Sequence, residues 1–393
     1  MSRRILASLV TVLALAAPVA PALAAPAVKL GIEVLQTRHQ ALLQGQRVGL
    51  ITNMSAIDGR GQSAIDLLAR MPGVKLTALF APEHGLRADL DIENIPDGRD
   101  PRTGVPVYSL YTKDRAPSAK QLANVDVLVF DIQDAGSRFY TYSTTLGLCM
   151  EAAKKHGKRF VVLDRPNPIT GRAEGDVLDG SVRHFTGRYA LATRHGMTIG
   201  ELARYINGEE RIGADLVVVP MEGWRRGMWY ADTGLPWRRP SPAMLSPDTA
   251  LYYAGIGMFE ATNVNCRAPG KPFRWVGAAW INGNALCQAL TQQQLPGVRF
   301  TPARVGKHDG VDVSITDREA FEPIGTAVAM MATLAKLYPG KFEAYRSGLT
   351  IMSGSDALWL ALNGQGPLSA VTERYRKAVE TYDARRKPYL LYP

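Results

Sequence analysis

The chain has 393 residues, 46 Lys and Arg against 36 Asp and Glu, and a formal charge of +10. It has no lysine- or arginine-rich block with interleaved aromatics, which sets nucleic-acid binding aside. Its three cysteines, Cys149, Cys266 and Cys287, have no metal-ligand spacing, and the odd number leaves at least one thiol free, with a Cys266–Cys287 bridge open.

Residues 1–24 read as a secretory signal peptide. Arg3 and Arg4 precede an apolar run from Ile5 to Leu15, and Ala22-Leu23-Ala24 offers a small-x-small cleavage site. Removing the two arginines lowers the charge from +10 to +8, a modest excess that suits a carboxylate-bearing partner. No cysteine follows the run, so a lipid anchor is not expected. No later stretch approaches the about 20 apolar residues of a membrane span, so no stable membrane insertion is expected. The mature protein is therefore expected to be exported, into a bacterial periplasm. Its length exceeds one ordinary core, so two domains are expected.

From residue 46 to about 221, apolar strands alternate with amphipathic helices. The strands are "RVGLITN" ending at Asn53, "LTALFAPE" at Glu83, "VDVLVFDIQD" near Asp131, "RFVVLDRP" at Asp164 and "DLVVVPM" at Met221. Continuous Val/Leu/Ile runs, without polar alternation, mark strands buried on both faces of a parallel sheet. Leu146, Cys149, Met150 and Ala153 fall at i, i+3, i+4, i+7, the stripe of a helix packed on that sheet. Thr198 with Glu201 three residues on forms a capping box, opening a second helix. The fold class is therefore α/β, with a Rossmann-like N-terminal domain over residues 25–237 whose sheet is mostly parallel. The Pro- and Gly-rich "TGLPWRRPSPAMLSP", residues 233–247, marks the boundary. Residues 238–393 are expected to form a smaller α+β domain. In it "VDVSITD" alternates like a half-exposed strand, and residues 325–337 and 356–362 are helical.

In open α/β sheets, ligands bind beyond the carboxyl ends of the strands, and here those ends are polar. Asn53 closes the first strand; Glu83, His84 and Arg87 follow the second. Asp131, Gln133, Asp134, Arg138, Tyr140 and Tyr142 follow the third, and Asp164, Arg165 and Asn167 the fourth. Most have two readings. Asp131 and Asp164 either cap helices or serve a site, and Arg138 and Arg165 either pair with them or bind substrate. Tyr140 and Tyr142 are packing residues or cleft walls. His84 is a hydrogen-bonded imidazole or a site group, and His195, before a helix start, fixes a loop or meets an anion. Glu83 leans to function, because a carboxylate just past a buried strand beside His84 and Arg87 has its acidity set by its neighbours.

No G-x-S-x-G elbow, no G-x-G-x-x-G after the first strand and no H-E-x-x-H occurs, so serine hydrolysis, a dinucleotide cofactor and a zincin site have no motif behind them. No cofactor is expected. Acids, amides, arginines and aromatics on one rim suit a carbohydrate, whose cleavage needs a general acid and an opposing group.

The blocks "PEHGLR", "DIQDAGSRFYTY", "VVLDRPNPITG", "RHGMTIGELA" and "MFEATN", in this order and down to the "KPYLLYP" ending, resemble the NamZ-like exo-β-N-acetylmuramidases, first known as a bacterial domain of unknown function. The resemblance implies a cleft between two domains and release of β-linked N-acetylmuramic acid (MurNAc) from non-reducing ends of peptidoglycan fragments, such as MurNAc-GlcNAc or a muropeptide. It places the acid at Glu83, with His84 positioning it or binding substrate, and leaves Asp131, Asp134 and Glu260 as candidates for orienting the 2-acetamido group or activating water. Arg138 or Arg165 would hold the lactyl carboxylate, Tyr140 and Tyr142 would line the cleft, and Asn263 would contribute from the second domain. The chain departs from the family pattern at Ala88, where glycine is usual, and at Ala243, where asparagine is. It departs again at residues 266–270, which replace a glycine-arginine-glycine-threonine run, and at Ala279, which replaces proline. These departures keep open a second reading, a muropeptide-binding protein without catalysis; a metal-dependent hydrolase using His84, Asp131 and Asp134 is a third. Nothing in the sequence sets the oligomeric state.

Overall fold

A computed structural model describes residues 28–92 and 94–393, so the signal-peptide reading of residues 1–24 lies outside the described residues. The N-terminal half holds strands β1 (Arg47–Thr52), β2 (Lys75–Ala81), β3 (Gly98–Arg99), β4 (Pro106–Ser109), β5 (Val127–Asp131), β6 (Arg159–Leu163), β7 (Glu174–Val177), β8 (Ala192–Arg194) and β9 (Leu216–Val219). Its helices are α1 (Gly31–Arg38), α2 (Ala64–Ala69), α3 (Ala119–Leu122), α4 (Tyr142–Lys155) and α5 (Ile199–Glu209).

Seven strands form one sheet in the order β3-β4-β2-β1-β5-β6-β9, parallel throughout except for the β3–β4 edge pair. The apolar runs are continuous because both faces are covered. Leu128, Phe130, Phe160 and Val162 enter one core, and Val127, Val129, Val161 and Leu163 enter the other. The stripe on α4 is fully covered, Leu146, Cys149, Met150 and Ala153 all being at 0% exposure. The Thr198 hydroxyl accepts from the Glu201 amide, and the Glu201 carboxylate accepts from the Thr198 amide, as the capping box requires.

The C-terminal half contains an antiparallel sheet, β10 (Asn265–Ala268), β11 (Lys271–Ala278), β12 (Val298–Val305) and β13 (His308–Ile315), in the order β10-β11-β13-β12. Around it lie α6 (Pro247–Ile256), α7 (Gly283–Thr291), α8 (Pro323–Leu337), α9 (Arg346–Ser353), α10 (Ala357–Leu362) and α11 (Leu368–Arg386). The strand expected at 311–317 is the end of β13, with Val311, Asp312 and Val313 all buried instead of alternating. All three cysteines are free, which removes the Cys266–Cys287 bridge: Cys266 is buried, and the Cys287 thiol faces the Phe300 carbonyl at 3.3 Å.

The chain's end returns to the N-terminal half. Tyr382 and Arg386 of α11 donate to the carbonyl oxygen of His195, and Arg386 donates also to those of Gly196 and Gly171. Tyr392 donates its hydroxyl proton to Asp164 and accepts from the Met221 amide, so the last residues pin the carboxyl ends of β6 and β9.

Candidate active site

The strand order reverses direction at β1: the chain runs outward through β2 and β4, then returns to place β5 on the other side of β1. Such a switch point opens a crevice between the loops that leave in opposite directions. Here the loop after β2 delivers Glu83, and the loop between β5 and α4 delivers Thr141, whose hydroxyl donates to Glu83 Oε2 at 2.6 Å. Residues 79 apart are tied beneath them, the Thr52 hydroxyl donating to the Asp131 carbonyl at 2.9 Å.

Glu83 opens into a cleft lined by His84, Tyr140, Ser241, Tyr253, Glu260 and Arg267, with Asp91, Thr186, Ala243 and Phe273 around it. Two parts of the chain thus bring a carboxylate each to one space. Glu260 stands on the short turn after α6, and Arg267 of β10 bonds its carboxylate directly. Burial raises Glu260 above the usual carboxylate range, the Arg267 guanidinium opposes that rise, and Asp91 and Glu83 add to it. Arg267 also reaches Asp91 at 3.4 Å. His84 has a left-handed φ of 69°, and its Nδ1 lies 2.8 Å from the Leu90 carbonyl, which requires the proton on Nδ1. The Asp91 carboxylate is 3.6 Å from the same nitrogen. Tyr140 meets Tyr142 edge-on at 4.7 Å, making a rigid aromatic wall.

The other residues singled out by position hold the rim together from inside. Asn53 accepts from Ser55 and donates to Tyr142 and to the Pro240 carbonyl. Tyr142 donates its hydroxyl proton to the same Pro240 carbonyl at 2.5 Å, so the Pro-rich segment is fastened to the sheet and its residues Ser241–Met244 become a cleft wall. Gln133 donates to the carbonyls of Asp134 and Pro166, and Asn167 donates to that of Met197. His195 accepts from the Met197 amide at Nδ1 and presents its Nε2 proton to Asp134 at 3.1 Å; Asp134 also accepts from the Gly136 amide. Asp164 accepts from Arg165 and Gly200 amides, the Thr198 hydroxyl and Tyr392.

The two arginines expected on the substrate carboxylate lie inside. Arg165 bonds Asp131 with both side chains buried and donates to the Ile57 carbonyl. Arg138 is 1% exposed and spends its guanidinium on the carbonyls of Asp176, Leu191, Ile351 and Met352. Neither is among the side chains that line the cleft. Asn263 donates to the Lys341 carbonyl and accepts from the Glu343 amide, fixing that loop, and Arg87 is 82% exposed beside Asp89. Among the described residues, no group of three or more His, Cys, Asp and Glu side chains could hold a metal ion.

Position alone did not single out Thr141, Ser241, Tyr253 or Arg267. Thr141 was within reach, since it sits between the two tyrosines of "RFYTY". The Pro-rich run that contains Ser241 reads as a linker because nothing local shows that Tyr142 and Asn53 will capture it.

Residues 48–248 match the family model described as the N-terminal part of exo-beta-N-acetylmuramidase NamZ, and residues 251–392 match the model of its C-terminal part. Peptidoglycan beta-N-acetylmuramidase NamZ of Bacillus subtilis (strain 168) is 40% identical over 380 residues, which cover 93% of this chain and 92% of that protein. Two solved structures of DUF1343 family proteins from Bacteroides fragilis NCTC 9343 share the fold. One has a TM-score of 0.84 at 36% identity and the other 0.74 at 25%, each covering 93% of this chain and 99% of its own. The two family models run through both halves and the curated relative spans nearly the whole chain, and they agree on one assignment: the chain belongs to the NamZ exo-β-N-acetylmuramidase family.

Proposed function

We propose that this chain is an exo-acting glycoside hydrolase that releases β-linked MurNAc from the non-reducing ends of peptidoglycan fragments, with Glu83 as the general acid. The observation that carries the residue assignment is that Glu83 and Glu260 enter one cleft from opposite parts of the chain. Glycosidic cleavage needs a proton for the leaving oxygen and a group on the other side of the sugar.

Glu83 gives its proton to the glycosidic oxygen as the C1–O bond breaks, and the shortened glycan leaves as an alcohol. The carbonyl oxygen of the 2-acetamido group bonds to C1 from the opposite face, a route some glycosidases use in place of a protein nucleophile. Glu260, bonded by Arg267, accepts a hydrogen bond from the acetamido N–H and holds the group in line. Water then attacks C1 as the C1–O bond to the acetamido oxygen breaks, restoring the acetamido group, and gives its proton to the Glu83 carboxylate, freeing MurNAc. Thr141 fixes the Glu83 carboxyl in the orientation this needs. Asp131 and Asp134 are committed to Arg165 and His195, which favours Glu260 for the opposing role. The Arg3-Arg4 pair, apolar run and cleavage site at the chain's start support action after export, in the periplasm.

Incubating the purified protein with MurNAc-GlcNAc and identifying products by mass spectrometry tests the reading. Free MurNAc and GlcNAc are expected; an unchanged disaccharide would overturn it.

A further inference from the structure

A second cavity adjoins the cleft. Ser241 and Pro242 line both, so the two cavities meet along this segment. Arg87, Arg238, Arg239 and Trp237 complete much of its lining. Its volume is about 610 Å³, against about 140 Å³ for the cleft that holds Glu83, so a substrate larger than one ring has its room here.

The charge of this cavity is unbalanced. Arg87 is offset by Asp89 at 3.3 Å. Arg238 and Arg239 are both exposed, and among the described residues neither has an acidic or hydrogen-bonding partner. Two guanidinium groups with no acidic partner among the described residues, beside an acidic cleft, make a site for an anion, and the planar fork of arginine fits a carboxylate through two parallel bonds. Trp237 is held rigid, its indole N–H donating to the Met244 carbonyl at 3.1 Å and its ring meeting Tyr230 edge-on at 4.9 Å. It offers a fixed apolar face next to the two charges. Pro240, which anchors this segment through Asn53 and Tyr142, follows Arg239 directly, so the cationic pair is carried on a pinned backbone.

Resting on the muramidase reading above, we propose that Arg238 and Arg239 bind a carboxylate on the lactyl arm of the substrate's MurNAc unit. That arm is the feature that separates MurNAc from GlcNAc, and Arg138 and Arg165 are buried and line neither cavity, so they cannot receive it. The carboxylate has two sources: the free lactate of a bare sugar, or the acidic groups of a peptide amide-linked to it.

The test uses the Glu83→Gln protein, so that ligands are bound without being cut, and isothermal titration calorimetry. Three probes are compared: MurNAc, its neutral lactamide, and MurNAc carrying an acidic peptide. Arg238→Ala/Arg239→Ala is added in the same background; both side chains are exposed, so folding is retained. Loss of two charge-assisted contacts in a solvated cavity weakens binding about tenfold. A loss of that size for MurNAc, with the lactamide unchanged, assigns the pair to the lactate; a loss confined to the peptide-bearing probe assigns it to the peptide. Equal losses for all three probes, or no loss for any, would overturn the proposal while leaving the muramidase reading in place. Failure of the Glu83→Gln protein to bind any of the three would overturn both.

Discussion

Replacing Arg165 by methionine isolates what the buried ion pair beneath the rim does. Asp131 is fully buried and Arg165 almost so. The guanidinium also serves the Ile57 carbonyl. Methionine keeps the volume and removes the charge, leaving a carboxylate with no counter-ion in an apolar surround. Breaking such a pair from one side costs about 3–5 kcal/mol. Burial raises the pKa of Asp131 above the usual carboxylate range, and Arg165 opposes that rise through charge and hydrogen bond. Without Arg165 the folded-state value moves further up. A raised folded value contributes stability that is present below the unfolded value and is lost as pH rises through the folded one. The penalty in Arg165→Met is therefore largest at neutral pH and shrinks as pH falls through the folded-state values, where the buried carboxyl takes up its proton. Urea denaturation at pH 4, 5.5 and 7 measures it, and adding Asp131→Asn should recover much of the loss at pH 7. A variant as stable as wild type at pH 7, or a penalty that does not change with pH, would refute the reasoning. Activity per folded molecule should fall far less than it does for changes at Glu83, since the pair does not line the cleft.

Three other substitutions probe the cleft and its supports. Arg267→Met removes the charge that opposes the rise at Glu260, so ionisation of Glu260 moves to higher pH. The acid limb of the kcat profile should move the same way, activity at pH 5.5 falling more than at pH 8, and an unmoved limb would exclude Glu260 as the ionised partner. Tyr142→Phe deletes the bonds to Pro240 and Asn53 at a cost of about 1–3 kcal/mol. It should also raise KM as the Ser241–Met244 wall loosens, and steady-state kinetics on MurNAc-GlcNAc read this. Gly136→Ala meets a backbone at φ 83° and places a methyl 2.6 Å from Ile169 and 2.7 Å from Asn167. A destabilisation of about 2–4 kcal/mol is expected by urea denaturation.

The sheet was legible because burial on both faces leaves a plain mark: five uninterrupted apolar runs, four of them ending in a polar residue. Strands β3 and β4 were not, because a two-residue edge pair and "PVYS" carry too little pattern to separate from loop. The rim was legible as a set of polar positions, and Glu83 and Tyr140 do line the cleft. The sequence could not sort that set, because whether an arginine points inward depends on carbonyls far along the chain. Arg138 is satisfied by residues 38 to 214 positions away. The same blindness hid the linker's part in the site, since the hydrogen bonds that capture Pro240 start at Asn53 and Tyr142.

The most direct test of the central claim is the effect of Glu83→Gln on two substrates with different leaving groups. Loss of a general acid typically costs about 10²–10⁴ in rate, and the loss is greatest when the departing oxygen most needs a proton. Hydrolysis of MurNAc-GlcNAc should therefore fall at least about a hundredfold, and hydrolysis of p-nitrophenyl β-MurNAc, whose phenolate departs readily, should fall clearly less. An equal fall on both substrates would contradict proton donation by Glu83, and undiminished activity would remove it from the chemistry altogether.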